Sequence, residues 1–329
     1  MTTESQRGLG DVALELEAGK PVDLRAVLGP LARGSGDPTM RVAATAAIRA
    51  SMTADGPGTI ELRVTGSTIR ALGWGPGATC LLDGLRAALG LDDVDSGFDP
   101  GLHPAVADLA RRLGPVRLGR TGAIWEALLP AVLEQRITGT EAWRNYRRLV
   151  RAHGTPAPGP HGLLVAPTAE VVRALPSYAL TALGIEPRRG LLLRRIAGEA
   201  ARLERLGDAA RLPGGGGAGA RELDAALQAH AGIGPWTAAE VTLRALGDPD
   251  AVSVGDAHLS NVVGFVLTGA ARSTDARMLE LLAPWAGHRA RVVRLIERSG
   301  LGPPRFGPRV APRDIVRDEL RRGGRRPRR

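Results

Sequence analysis

A glycine-rich turn between two helical segments is the first stretch of the sequence whose residue types could do chemistry. Leu223 and Leu227 recur at helical spacing. Gly232 and Gly234 then break this pattern, and Pro235 stands where a second helix can begin. Such a turn exposes backbone N–H groups at the positive end of a helix dipole, so it predicts a site for a phosphate or another anion. The alternative is an ordinary helical hairpin whose glycines only turn the chain.

A carboxylate follows this hairpin at a short distance. Asp256 lies 22 residues after Gly234, between the apolar run 251–254 and a helix-like segment that starts at Ala257. A carboxylate at a helix start can stabilise an oxocarbenium-like sugar or orient a water molecule, as carboxylates do in glycoside cleavage. A plain N-cap, worth about 0.5–2 kcal/mol, is the alternative, and the two roles are compatible.

The hairpin and the carboxylate together resemble the helix-hairpin-helix (HhH-GPD) DNA glycosylase superfamily, and within it the DNA-3-methyladenine glycosylase II type. The run Ala-Gly-Ile-Gly-Pro-Trp-Thr-Ala at 231–238 carries the likeness, and the blocks 131–139, 184–190 and 283–290 follow the family's order. The likeness covers most of residues 20–300. It implies a mainly α fold with a small N-terminal α+β domain, in the helix-hairpin-helix DNA glycosylase architecture.

This resemblance implies a monofunctional DNA glycosylase of base excision repair. Such an enzyme flips an alkylated purine, 3-methyladenine or 7-methylguanine, out of the duplex and removes it by hydrolysis to leave an abasic site. Two alternatives stay open. One is a DNA-binding protein that has lost catalysis and recognises damaged or distorted DNA, and the other is a glycosylase for a deaminated or oxidised base. Asp256 beside an intact hairpin favours the first interpretation over a binding module.

The resemblance also assigns roles to particular residues. The backbone amides of Gly232, Ile233 and Gly234 are expected to hold DNA phosphates without reading the base sequence. Asp256 is expected to face the deoxyribose as positive charge develops there.

The family's wedge, which fills the gap that a flipped base leaves in the stack, is the residue after the glutamine of the Leu-x-Gln block. That residue is Arg136, where an apolar side chain is usual. A planar guanidinium can stack on bases and reach a phosphate. Gln135 is the other wedge candidate, and an ordinary surface arginine is the alternative for Arg136.

Trp236 stands where strand-cleaving relatives have a lysine that forms a Schiff base with the sugar. Lys20 is the only lysine of the chain, so strand cleavage by that route is not expected. A tryptophan can instead stack on the flipped base, and a methylated purine is cationic, which favours π-stacking. Core packing is the alternative for Trp236. The further base-pocket candidates are Trp125, Trp285 and Glu240.

The pattern along the chain divides it into three parts. Ile60 and Leu62 alternate with polar residues, which indicates a half-buried strand, and strand signals end near residue 98. A helix from Ile124 is predicted to continue through Ile137. We predict an N-terminal α+β domain at 1–98, an all-helical glycosylase region at 99–302 with the hairpin at about 221–246, and a basic, disordered tail at 303–329.

Charge and composition limit the partners. The formal net charge is +10, but residues 305–329 alone carry ten arginines against three acidic residues, so the rest of the chain is only about +3. The tail could raise nonspecific DNA affinity through counterion release or only aid solubility. Double-stranded DNA with damaged bases is the expected partner of a monomeric protein.

Cysteine content and hydropathy limit the compartment. Cys80 is the only cysteine, which excludes an intrachain disulfide and a four-cysteine iron–sulfur or zinc site. The first residues lack a charged-then-apolar signal pattern, and no run approaches the roughly 20 apolar residues of a membrane span. We therefore expect no cofactor, no metal and no membrane contact, and a cytoplasmic protein that associates with the nucleoid when it binds DNA.

Overall fold

The computed structural model describes residues 11–211 and 216–304 of the chain. Seven β-strands lie in these residues: β1 Val12–Glu17, β2 Met40–Val42, β3 Ala46–Thr53, β4 Gly56–Thr65, β5 Thr68–Trp74, β6 Thr155–Pro156 and β7 Leu164–Val165. Fifteen α-helices lie there as well: α1 Leu24–Leu28, α2 Ala78–Asp83, α3 Leu85–Ala88, α4 Pro104–Leu113, α5 Ile124–Glu134, α6 Gly139–His153, α7 Ala169–Ala174, α8 Ser177–Ala182, α9 Pro187–Ala197, α10 Ala200–Arg211, α11 Gly216–Gln228, α12 Pro235–Leu246, α13 Leu259–Thr268, α14 Asp275–Leu282 and α15 Arg289–Ser299.

The first five strands form one antiparallel sheet in the order β1-β5-β4-β3-β2. The predicted alternation in β4 is confirmed, because Ile60 and Leu62 are buried while Arg63 is exposed. Burial of such side chains supplies roughly 1.5–3 kcal/mol each and fixes the strand register, since a slip by one residue would expose them. β1 was not predicted from the sequence.

The chain leaves the helical conformation between α5 and α6. The prediction of a helix through Ile137 was wrong, because α5 ends at Glu134. Arg136 has a φ of 55°, a left-handed conformation that cannot continue an α-helix. The Thr138 hydroxyl then accepts a hydrogen bond from the N–H of Glu141 (3.3 Å), which caps α6. A short turn in which Arg136 is exposed therefore separates the two helices.

The described residues group into two compact units, each built from separate chain segments. The first unit takes in the described part of Met1–Leu85 together with Leu128–Ala201. In it, α7 and α8 pack on α9, and β7 contacts β3 and α6. Its fully buried residues include Leu24, Ile69, Leu149, Val172 and Leu193.

The second unit takes in Arg86–Ala127 and the described part of Arg202–Arg309. In it, α11 packs on α12, while α4, α13, α14 and α15 surround one apolar core. The Arg291 guanidinium is fully buried and donates two 2.6 Å hydrogen bonds to the carboxylate of Asp93. This bidentate pair joins α15 to the segment before α4.

The predicted fold class, mainly α with a small N-terminal α+β part, is confirmed. The predicted domain boundaries after residues 98 and 302 stay a prediction. The predicted basic tail lies outside the described residues from 305 onward. None of the helices in residues 11–211 and 216–304 combines the length and apolar character that crossing a bilayer requires.

Candidate active site

The predicted hairpin is formed by α11 and α12 in the second unit. Leu223 and Leu227 are fully buried on the inner face of α11, as their spacing predicts. Gly232 has a φ of 98°, a conformation that residues with a side chain rarely adopt, so the turn requires glycine at this position. Pro235 is the first residue of α12, and the left-handed Gly247 (φ 65°) ends that helix.

The three residues predicted to hold phosphate differ in what their amides can do. The Ile233 N–H donates to the carbonyl oxygen of His230 (2.9 Å), and the Ile233 side chain is buried. Ile233 thus fastens the turn to the core, and the predicted part of its amide in phosphate binding stays a prediction. The N–H of Gly234 meets no acceptor in the described part of the chain. Phosphate binding by Gly232 and Gly234 stays a prediction.

Gly234 is the N-cap of α12, and no side chain caps this helix. Its backbone is extended (φ −106°, ψ −178°), and a Cβ added there would meet nothing within 4 Å. The first turn of a helix carries amides without intrahelical acceptors and the positive end of the dipole. An anion can therefore approach the start of α12 without steric obstruction from Gly234.

Asp256 lies in the turn that leads into α13, and its carboxylate is half-buried. Its Oδ1 atom accepts hydrogen bonds from the N–H groups of His258 (2.8 Å) and Leu259 (2.9 Å). The helix begins at Leu259, two residues later than the pattern indicates. The N-cap of α13 is His258 and not Asp256, although Asp256 binds the amides of the first turn, and its catalytic role stays a prediction.

The indole of Trp236 holds the other oxygen of this carboxylate. Its Nε1 donates to Oδ2 of Asp256 (3.3 Å), and the Trp236 side chain is half-buried. Main-chain amides on one oxygen and an indole on the other set the orientation of the carboxylate plane. Trp236 therefore links the first turn of the hairpin helix directly to the candidate catalytic group.

A second carboxylate supports the same turn, and sequence reasoning missed it. Oδ2 of Asp275 accepts a hydrogen bond from the N–H of Gly255 (2.9 Å), the residue directly before Asp256. The pair Thr274 and Asp275 at the start of α14 is a recognisable helix-start signal. That signal predicts a cap, but it cannot predict a contact 20 residues away.

Glu240 was predicted as a base-pocket candidate; this role stays a prediction, and both of its carboxylate oxygens have partners within the protein. Its Oε1 accepts from the Ser253 hydroxyl (2.5 Å), and its Oε2 pairs with Arg244 one turn along α12. Burial raises the pKa of Glu240, but Arg244 and Ser253 outweigh burial and the net pKa is lowered. Both oxygens thus join α12 to the segment before Asp256.

Within the described residues, no group of three or more His, Cys, Asp or Glu side chains could hold a metal ion.

The two weaker pocket candidates also differ from each other. Trp285 is only 3% exposed, lies in the apolar core of the second unit, and donates its indole N–H to the carbonyl oxygen of Asp99 (2.7 Å). Trp285 therefore packs in the core, and its predicted pocket role stays a prediction. Trp125 is half-buried near the start of α5, where its backbone N–H donates to Oε1 of Glu204 (2.7 Å). Its pocket role stays a prediction.

The wedge candidates lie in the first unit, in the turn after α5. The Arg136 side chain is exposed, and Arg136 is the only non-glycine residue with positive φ in the described residues. Gln135 is half-buried, and its carbonyl oxygen accepts from Nη1 of Arg189 (3.3 Å). Which of the two enters the DNA stack stays a prediction.

Comparison with solved structures shows that this is the fold of DNA glycosylases, so the predicted helix-hairpin-helix glycosylase architecture is confirmed. The 3-methyladenine DNA glycosylase of Archaeoglobus fulgidus is similar over 88% of this chain and 99% of its own, with a TM-score of 0.71 and 19% identity. The 8-oxoguanine glycosylase/lyase of Clostridium acetobutylicum, solved in complex with double-stranded DNA, is similar over 88% of this chain and 99% of its own, with a TM-score of 0.61 and 12% identity.

Among curated proteins, the chain is similar to the probable bifunctional transcriptional activator/DNA repair enzyme AlkA of Mycobacterium tuberculosis. The alignment is 28% identical over 215 positions, and the match covers 57% of this chain and 41% of the relative. The chain thus spans about two fifths of the length of the curated relatives it matches. A comparison with models of protein families finds no match.

Proposed function

We propose that this protein is a DNA glycosylase of base excision repair that flips alkylated purines, 3-methyladenine and 7-methylguanine, out of duplex DNA and removes them by hydrolysis. The observation that carries the proposal is the carboxylate of Asp256. Main-chain amides at the start of α13 hold one of its oxygens, and the indole of Trp236 in the hairpin helix holds the other. The names of the similar structures and of the curated relative support the same class of activity.

In this reaction the bond between C1′ of the deoxyribose and the ring nitrogen breaks, and its electron pair leaves with the base. A purine that is cationic through methylation leaves as a neutral molecule. Positive charge grows on the sugar, and a carboxylate held in place beforehand stabilises that charge with little reorganisation. Water then adds to C1′ and loses a proton to solvent, so the products are a free base and an abasic site.

Recognition of the base rests on Trp236 in the same proposal. A cation over an indole face gains roughly 0.5–2 kcal/mol, so the ring favours a methylated purine over its neutral parent. The first turn of α12 carries no primary amine, and Lys20 is the only lysine of the chain. Without an amine at this position, strand cleavage through a Schiff base has no nucleophile there, and the protein is monofunctional.

Double-stranded DNA is the proposed partner of the monomer, held at the start of α12 through its phosphates. The open amide of Gly234 and the helix dipole support this contact. Because these groups read phosphate and not base edges, binding is independent of sequence. The turn at Gln135 and Arg136 supplies the proposed wedge.

The test is base release from methylated duplex DNA by the wild type and by Asp256→Asn. Asparagine keeps the size and an oxygen that accepts from both amides, so the free energy of unfolding should change by less than about 1 kcal/mol. Loss of the charge should lower the rate of release by roughly 10²–10³-fold. Free bases are quantified by chromatography, and strands are inspected before and after alkali.

Each outcome separates the proposal from an alternative. Release of 3-methyladenine or 7-methylguanine by the wild type, with strand breaks only after alkali, supports a monofunctional enzyme. Equal release by Asp256→Asn would reduce the carboxylate to a helix cap. Breaks without alkali would overturn the monofunctional assignment. DNA binding by a wild type that releases no base would favour the catalytically inactive, damage-recognising protein.

A further inference from the structure

The turn that carries the wedge candidates has a backbone shape that the isolated chain would not favour. Arg136 adopts a φ of 55°, and its side chain is exposed. Left-handed conformations are costly for residues with a Cβ, and they persist where the surrounding structure holds them. Two groups of contacts in the first unit hold the residues directly before Arg136, one through backbone carbonyls and one through a side chain.

The first is the buried guanidinium of Arg189, near the start of α9. Its Nη1 donates to the carbonyl oxygens of Leu133 and Gln135, both at 3.3 Å. These are among the last carbonyls at the end of α5, where helix carbonyls lack intrahelical donors and the dipole is negative. The side chain is only 6% exposed, and its Nη2 lies 3.5 Å from Glu186. Arg189 therefore fixes the backbone directly before Arg136.

The second is the carboxylate of Glu134, the last residue of α5. Its Oε1 accepts a hydrogen bond from the indole Nε1 of Trp143 (3.3 Å) and lies 3.2 Å from Nε of Arg33. Arg33 is itself held, because its Nη1 donates to the carbonyls of the turn before it. The residue before Gln135 is thus anchored by its side chain, while Arg189 anchors the backbone.

We infer that Arg189 and Glu134 are positioning residues for the opening of the base stack, holding the turn at Gln135 and Arg136 in the shape that enters DNA. The inference rests on the proposed function and deepens it. Both residues act through the turn and not on the bond that breaks. A preformed turn avoids the ordering cost that a mobile one would incur on binding. Their loss should therefore slow the flipping of a paired base and spare a base that has no pairing partner.

The experiment compares Arg189→Met with the wild type on two duplexes that carry a single 7-methylguanine. In one the lesion is paired with cytosine, and in the other it faces a tetrahydrofuran abasic analogue. The single-turnover rate should fall at least tenfold on the paired lesion and less than threefold on the unpaired one. Arg189→Lys should recover part of the loss. Equal falls on both duplexes, or no fall on either, would overturn the inference.

Arg188→Met is the matched control. It removes the same charge from the neighbouring residue of α9, but Arg188 is exposed and has no contact with the turn among the hydrogen bonds and ion pairs of the described residues. Its rates should stay within twofold of the wild type on both duplexes. A selective loss on the paired lesion in this variant would mean that the positive charge of α9, and not the contact of Arg189 with the turn, governs the opening of the base stack. That result would overturn the inference.

A fluorescence measurement keeps the inference separate from the proposed activity. A 2-aminopurine opposite a tetrahydrofuran analogue brightens when it is unstacked, so wedge insertion by the wild type should raise its emission without any excision. Arg189→Met should bind the duplex at a concentration above its Kd and raise the emission by less than half as much. If the wild type gives the rise but releases no base, the proposed function fails and the positioning role stands. An equal rise by the variant, or none by the wild type, would overturn the positioning role.

Folding is checked by circular dichroism. Should Arg189→Met not fold, Glu134→Gln serves in its place, because it keeps the side-chain size and an acceptor for Trp143 while removing the charge facing Arg33. It should show the same selective loss on the paired lesion with a smaller amplitude, at least threefold. The absence of any selective loss in a folded Glu134→Gln would count against the inference.

Discussion

The carboxylate of Asp256 is held by two kinds of donor, and they have different consequences for catalysis. The amides of His258 and Leu259 would cap a helix in any protein, whereas the indole of Trp236 comes from a separate helix. Phenylalanine at position 236 keeps a smaller aromatic face and lacks the indole N–H. We predict that Trp236→Phe lowers the rate of base release about tenfold, roughly 1.4 kcal/mol, because the carboxylate loses its second donor.

A double-mutant cycle identifies the cause. In the Asp256→Asn background there is no charge left to orient, so adding Trp236→Phe should change the rate less than twofold. Single-turnover release from 7-methylguanine duplex gives all four rates. Additive losses would mean that the indole acts on the base and not through Asp256.

For individual residues, the sequence predicts positions and contacts that depend on local spacing. Gly234 occupies the helix start that its neighbours predict, and Asp256 binds the first amide of α13 although that helix begins two residues later than predicted. The sequence does not predict the contacts that Ile233, Glu240 and Trp285 make. Each is satisfied by burial or by partners that folding brings from elsewhere, and a single sequence does not reveal those contacts.

The start of α12 allows stability and DNA binding to be changed in opposite directions. Gly234 caps this helix without a side chain, its backbone is extended, and a Cβ has free space there. Aspartate is a better cap than glycine by a few tenths of a kcal/mol. We predict that Gly234→Asp keeps or slightly raises the unfolding free energy, yet raises the Kd for abasic-analogue duplex at least about tenfold, because its charge faces the phosphate.

Gly234→Asn is the control, since it caps the helix without a charge. Its Kd, measured at the same fixed salt concentration, should lie close to that of the wild type. Equal affinity of the aspartate and asparagine variants would remove the start of α12 from the DNA contact.

Glu240 joins α12 to the segment that carries Asp256. Because its pKa is lowered in the folded protein, its contribution to stability depends on pH. A carboxyl group whose pKa is lower in the folded state contributes stability above its unfolded value, near 4.5, and loses it as the pH falls through the folded value. We predict that Glu240→Gln lowers the unfolding free energy by about 1–3 kcal/mol at neutral pH. The difference from wild type should shrink in acid.

Urea unfolding at a series of pH values measures this difference. Glu280→Gln provides the comparison, because Glu280 is 64% exposed and pairs with Arg277 at the surface. That variant should change stability by less than about 1 kcal/mol at any pH. A pH-independent loss of unfolding free energy in Glu240→Gln would show that Glu240 stabilises the protein by packing and not by its charge.

Helices and strands were predictable from the sequence where their apolar periodicity is strong. The prediction failed where the backbone conformation of one residue overrides that periodicity. α12 and β4 follow their patterns because burial on one face agrees with local preference. The end of α5 does not, since the apolar pattern continues to Ile137 while Arg136 takes a left-handed conformation. Arg189 contacts the backbone just before Arg136, and Arg33 and Trp143 contact Glu134, so the partners of this turn come from other elements and the local sequence does not reveal them.

For the molecule as a whole, order along the chain is a poor guide to grouping in space. Leu128–Ala201 joins the N-terminal segment in the first unit, whereas Arg86–Ala127 joins the residues from Arg202 onward. A division at residue 98 follows the change from strand to helix signals, which is local. Membership of a unit depends on long-range packing, such as the burial of Arg291 against Asp93.

Charge is distributed unevenly over the whole chain, with a net +7 in residues 305–329 and about +3 in the remainder. Each phosphate that a cation neutralises adds roughly 0.9 to the slope of log affinity against log salt concentration on B-DNA. We predict that deleting residues 305–329 weakens nonspecific binding and flattens this slope. Excision on a short lesion-bearing duplex at low salt should stay within about twofold, because the hairpin and Asp256 lie outside the deleted residues. Titration of undamaged duplex at several salt concentrations measures the slope. An unchanged slope would mean that the arginines of residues 305–329 take no part in binding. A truncated protein that fails to fold would contradict the prediction that these residues form a tail.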